Sequence, residues 1–123
     1  MNTPETMLLI AVVNDADKVD EILSGFLEIG ITGATIISSE GMGRLLSHDI
    51  PIFAGLQTLL QGSRPQNRTI FSVITADKAD AAFGLLQEVC GSLTNPATGI
   101  AFSIPIVRVV GLAPQLGDEA APA

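Results

Sequence analysis

The chain has 123 residues, enough for one domain with a sizeable core and too few for two. Thirteen acids against six Lys and Arg give a formal charge of −7, and no basic face is available for a phosphate backbone, which excludes a nucleic-acid binder. The single Cys90 excludes an internal disulfide and agrees with a reducing, cytoplasmic setting.

Residues 1–6 are a polar lead-in without the positive segment of a signal peptide. Met7 to Val13 predicts a first strand, apolar at every position, so both of its faces are expected to be covered; a half-exposed strand would alternate. The run falls far short of the ~20 residues that a membrane span requires, so direct membrane insertion is not expected. From Asp17 the period changes, and Val19, Ile22, Leu23, Phe26 and Leu27 draw one apolar stripe down a helix. Asp17 suits its N-cap, Asp20 its first turn and Gly30 its stop.

Ala34 to Ser39, rich in β-branched residues, predicts a second strand. A long insert follows over about residues 40–68, and Thr69 to Thr75 reads as a third strand. A second helix starts at Asp77 and aligns Ala79, Ala82, Phe83, Leu86, Val89, Cys90 and Leu93 on one face. The turn-rich stretch Thr94 to Gly99 leads into a last strand near Phe102 to Val110. Residues 113–123, mostly Ala and Pro with two acids, are expected to be a disordered tail, leaving 1–112 as the domain.

An internal repeat supports this order: Ala16-Asp17-Lys18-Val19-Asp20 opens the first helix and Ala76-Asp77-Lys78-Ala79-Asp80 opens the second. Two such halves predict an α+β, ferredoxin-like βαββαβ sandwich, a four-stranded antiparallel sheet with both helices on one face. The other face is then bare and apolar. With 47% hydrophobic residues and a mean hydropathy of +0.47, that face is expected to meet another copy of the chain in a closed homo-oligomer.

The stretch Gly30 to Arg44, GITGATIISSEGMGR, joins the first helix to the insert. Its strand empties into Gly41-Met42-Gly43-Arg44, where bare N–H groups and a guanidinium converge on a place for an anion. Arg44 is the first site residue this pattern selects. The acids Asp15, Asp17, Asp20, Glu21, Asp77 and Asp80 are explained by capping and the helix dipole, without catalysis. No Ser-His-Asp order, nucleophile elbow or P-loop is present. Ser38 and Ser39 read as solvated loop residues and Cys90 as core packing.

Within the insert, Ser47 to Pro51 reads as a helix start with Asp49 as cap, and Ile52, Phe53, Leu56, Leu59 and Leu60 form a stripe that Gly62, Ser63 and Pro65 end. Two uses fit this stripe: packing back on its own oligomer, or docking on a partner by helix-in-groove recognition. His48 beside Asp49 could ligate a metal only through symmetry-related copies at an oligomer axis, so no metal is assigned within one chain.

On the motifs Gly30-Ile31-Thr32-Gly33-Ala34-Thr35 and Glu40-Gly41-Met42-Gly43-Arg44, with the βαββαβ order and the long loop between strands two and three, the chain resembles the PII family of nitrogen-regulatory, signal-transducing proteins. The resemblance extends over residues 7–112 in layout and is dense from Glu28 to Arg44. It implies a homotrimer with sheets facing inward, ATP or ADP in clefts between subunits, and a long loop that docks on a membrane transporter or metabolic enzyme. It thus implies a regulatory protein, not an enzyme.

Residue by residue, the resemblance puts Gly33, Ala34 and Thr35 beside the nucleobase, Gly41, Gly43 and Arg44 near phosphates, and Thr98 and Gly99 in the loop that closes the cleft. The chain departs from the family at several positions. Ile100 stands where the family has a phosphate-binding Lys, Val110, Gly111 and Leu112 occupy the region of its two terminal arginines, and Leu45 replaces a Gln. Arg108 lies three residues too early, and Arg64 and Arg68 are the cations left to supply the missing charge.

Charge-assisted bonds contribute ~1.5–3 kcal/mol each, so these departures predict weakened polyphosphate binding. A less charged adenine nucleotide, another metabolite or no ligand stays open. The chain has no Tyr, which excludes regulation by nucleotidylation of a loop tyrosine. The alternatives are a trimeric interaction module without nucleotide and a divalent-metal binder resembling the trimeric cation-tolerance family.

Overall fold

The structure is a computed structural model and describes residues 6–42, 67–91 and 99–112. Strand β1 (Thr6–Val13) is followed by a 3-10 turn (Ala16–Lys18) and helix α1 (Val19–Ile29). Strands β2 (Thr35–Ser39) and β3 (Asn67–Thr75) come next, then a second 3-10 turn (Ala76–Lys78), helix α2 (Ala79–Cys90) and strand β4 (Gly99–Ile106). The sheet is antiparallel throughout with strand order β2-β3-β1-β4, the ferredoxin-like arrangement expected from the repeat.

Register sorts the strand residues into two faces. Leu9, Ala11 and Val13 of β1 and Ile70, Ser72 and Ile74 of β3 are buried on one of them. There they meet the helix stripes, Ile22 and Phe26 of α1 and Ala82, Leu86 and Val89 of α2. The helices pack closely where Gly25 faces Leu85, whose methyls lie where a Cβ would go. The alternate residues form the helix-free face. Leu8 lies between Val73 and Ile104, Ile10 between Phe71 and Phe102, and Val12 between Thr69 and Ile100. On this face Ile37, Ile100, Phe102 and Ile104 are between 41% and 57% exposed.

Several boundaries differ from the sequence expectation. Asp17 does not cap α1: the Asp15 side chain accepts from the Asp17 N–H at 3.0 Å and starts a 3-10 turn, and the α-helix begins only at Val19. The repeat carries the same turn into the second half, so α2 begins at Ala79 and not at Asp77. Strand β2 begins at Thr35, one residue late, and β3 begins two residues early at Asn67.

The last strand is displaced furthest. It starts at Gly99, opposite Val13, and stops at Ile106, opposite Thr6. Val107, expected inside that strand, is 101% exposed. Gly30 ends α1 as expected: it sits at φ 103°, and the Ile31 N–H turns back to the Phe26 carbonyl at 2.8 Å.

Candidate functional site

The turn after α1 delivers Thr32, Gly33 and Ala34 to the start of β2, an edge strand. Beside it, β3 presents Phe71 and Val73 on the helix-free face, with Phe71 paired to Thr35. After β4 the chain bends at Gly111, at φ 89°, and brings Leu112 to the same place. These elements enclose a recess of about 320 Å³ lined by Thr32, Gly33, Ala34, Thr35, Phe71, Val73 and Leu112. A smaller recess of about 200 Å³ lies on the other side of the same turn, between α1 and β2, and its wall is mostly apolar.

A buried hydroxyl holds the turn in place. Ser72 is 2% exposed, and its Oγ donates to the Gly33 carbonyl at 2.6 Å. The space above Gly33 stays open, since an added Cβ there would meet nothing within 4 Å.

At the opposite end of β2 the Ser39 hydroxyl donates to the side-chain oxygen of Asn67 and lies 2.7 Å from the Thr69 hydroxyl. Because Ser39 carries one proton, Thr69 is the donor in the second bond. Asn67 is 7% exposed, and its amide nitrogen lies 3.7 Å from where a Cβ on Gly41 would sit. Ser39, expected to be a solvated loop residue, is instead partly buried and ties the ends of two strands together.

The expected site residues are thus divided. Gly33, Ala34 and Thr35 line one recess. Gly41 lies past the far end of β2. Gly99 opens β4, which is the other edge of the sheet. Three inter-strand steps of about 4.8 Å separate the two edges, so one protomer does not bring Gly99 to Gly33. Arg68 lies on the helix side of the sheet, opposite Val13 and Ser38, and donates to the Asn67 carbonyl at 3.4 Å. Arg108 is exposed past the end of β4. Gly43, Arg44, Arg64, Thr98 and the stripe Ile52, Phe53, Leu56, Leu59 and Leu60 lie outside the described residues, as does His48.

Sequence reasoning missed Phe71, Val73, Leu112 and Ser72 as site residues. Ser72 left a signal, because it is a hydroxyl at a core-facing position between Ile70 and Ile74. Leu112 left none, since its place depends on the bend at Gly111. Cys90 packs against the core, and burial pushes its thiol above the ordinary range, which suits packing and not nucleophilic chemistry. Among the described residues, no group of three or more His, Cys, Asp and Glu could hold a metal.

The family model for nitrogen regulatory protein P-II matches residues 7–115. The chain belongs to the P-II family. P-II proteins are signalling regulators rather than enzymes, and the βαββαβ sheet with its long connection after β2 is their fold. No curated protein matches this P-II chain in sequence. Among solved structures, Arabidopsis thaliana PII bound to citrate is similar at 16% identity and a TM-score of 0.59, over 84% of this chain and 78% of that one. A functionally unknown protein from Pediococcus pentosaceus ATCC 25745 is similar at 13% identity and a TM-score of 0.60, over 89% of this chain and 100% of that one. Among the described residues no helix is long and apolar enough to cross a membrane.

Proposed function

We propose that this P-II protein is a cytoplasmic, non-enzymatic regulator that assembles as a homotrimer and senses a small molecule, with an adenine nucleotide as the candidate. Its ligand site lies between copies, and residues 40–66 carry the signal to a partner such as a membrane transporter or a metabolic enzyme. The carrying observation is the position of the recess: it opens on the exposed apolar sheet face at the β2 edge, while Gly99 stands on the opposite, β4 edge. A ligand site that uses both edges joins the β2 edge of one copy to the β4 edge of the next. Such a head-to-tail contact closes as a ring when its rotation allows, and a ring of three is the form proposed.

The ring also covers the helix-free face, which water would otherwise wet. Support for a bound small molecule comes from the Arabidopsis PII structure, which holds citrate on the same fold. Gly41, Gly43 and Arg44 lead from β2 into the connection, so a ligand at the recess and the root of the connection share one strand. A ligand that binds one arrangement of this strand better shifts the population of the other arrangements. The stripe Ile52, Phe53, Leu56, Leu59 and Leu60 is the proposed docking element.

Light scattering on the full chain tests the assembly, with three times 12.8 kDa as the expected mass. A lone 12.8 kDa particle at working concentrations would remove the shared cleft and the sensor reading with it. A thermal-shift screen of adenine nucleotides on the same sample tests the ligand class.

A further inference from the structure

We infer that β2 is a coupling strand: side-chain staples at its two ends fix it to β3 as one unit, so that loosening the end that follows Gly33 also loosens the end that opens into the long connection. As a route for regulation this rests on the sensor reading, while the staples themselves lie within one chain and need no ligand.

The strand has little apolar burial to hold it. It is an edge strand of five residues paired to β3, and Thr35, Ile36, Ile37 and Ser38 are all exposed. An edge strand that buries so few apolar contacts belongs to the low end of local stability, where single polar contacts decide how often it opens.

The staples lie on opposite faces of the sheet. At the start, the buried Ser72 reaches from the helix side of β3 and its Oγ donates to the Gly33 carbonyl at 2.6 Å. At the end, Ser39 donates to the side-chain oxygen of Asn67, and Thr69 donates to Ser39 at 2.7 Å. Alternation along β3 puts Asn67 and Thr69 on the helix-free face with Phe71 and Val73. Bonds on both faces oppose a roll of the strand in either direction, so β2 shifts against β3 as a whole. Thr35 to Ser39 covers four steps of about 3.3 Å, roughly 13 Å in all, too short a rod to bend between its ends. Gly41 then passes beside the Asn67 amide, so the chain leaves the strand where the second staple closes.

The test is amide hydrogen exchange, followed by NMR on the full chain, for Ser72→Ala and Ser39→Ala, two substitutions that remove a hydroxyl and leave the backbone unstrained. Ser72→Ala is expected to speed the β2–β3 ladder amides about tenfold at the Ser39 end as well as at the Thr35 end, the return of one lost hydrogen bond, and Ser39→Ala should do the same from the other end. Amides of the β1–β4 ladder should keep their rates. Acceleration confined to the mutated end would overturn the inference. Equal acceleration in the β1–β4 ladder would also overturn it, since the whole fold would then be loosened. No change with either variant would show that the staples hold nothing, with the same consequence.

Ser39→Thr keeps the hydroxyl and should exchange at the parent's rates. Rates as high as those of Ser39→Ala would mean that side-chain volume and not the bond is being read, and would overturn the assignment of the second staple. No ligand enters these measurements, so a failed coupling leaves the sensor reading standing, and a failed nucleotide screen leaves the coupled strand.

Discussion

At Gly99 the backbone sits at φ 143°, and an added Cβ would run into the Val12 carbonyl oxygen of the neighbouring strand. Sequence resemblance selects this glycine as a ligand residue, and the geometry supplies a separate reason for it: only a bare Cα lets β4 begin against β1. Gly99→Ala is expected to cost about 2–3 kcal/mol of stability, read from the shift of a denaturation midpoint, whereas Gly33→Ala should stay near neutral. Equal effects at the two glycines would contradict this account.

Asp77 is a second residue-scale case. The neighbouring Thr75 side chain first, against an opposing effect of burial, and then the Lys78 charge hold its carboxyl below the ordinary 3.8, although the buried Thr75 hydroxyl makes no hydrogen bond of standard geometry. A depressed folded pKa means that the stabilisation is fully present above 3.8 and is lost as pH falls through the folded value. Replacing Thr75 with Val should move the Asp77 titration, followed by carboxyl NMR, upward toward the ordinary value. A Thr75→Val protein with an unmoved Asp77 curve would rule the hydroxyl out as the cause.

Among the elements, the helix stripes were the most legible, because apolar residues at three- and four-residue steps share one side of a helix and would scatter over both faces of a strand. Ile22 and Phe26 sit at 0% and 1% exposure, and Ala82, Leu86 and Val89 are buried on the same side of the sheet. Phe26→Ala is accordingly expected to destabilise by about 3–5 kcal/mol, since the lost ring leaves a cavity between α1 and the sheet. An effect below about 1 kcal/mol in chemical denaturation would mean that the ring is not in the core.

Element ends were less legible, for a local reason in each case. An Asp that accepts from the N–H two residues further on offers the backbone an alternative to the α-helix, which is how Asp15 starts a 3-10 turn. Strand β4 could not be bounded from its own residues, because the apolar run continues through Val107, Val109 and Val110 after the pairing with β1 stops at Ile106. Gly33 and Thr35, which the motif selects, line the recess, and Ser72 could have been read from its core register. Leu112 could not, because its place beside Phe71 and Val73 joins segments about 40 residues apart in the chain.

For the whole molecule, the decisive quantity is the balance between an apolar sheet face and a strongly acidic chain. Phe102 and Ile104 are 41% and 45% exposed on the helix-free face, so charges there leave the core of the protomer intact and penalise only association. The double substitution Phe102→Lys, Ile104→Lys should therefore give a folded 12.8 kDa monomer by circular dichroism and light scattering. A variant that kept the parent's assembly would place the interface elsewhere.

Salt separates the two forces that act on the parent protein. In the proposed homotrimer each copy brings −7 and assembly gathers that charge several-fold, while burial of the sheet face would not depend on screening. Raising ionic strength from about 0.05 to 0.5 M shortens the Debye length from roughly 14 to 4 Å and weakens only the repulsion, so association should tighten. Dissociation over the same range would mean that ion pairs and not the apolar face hold the copies together.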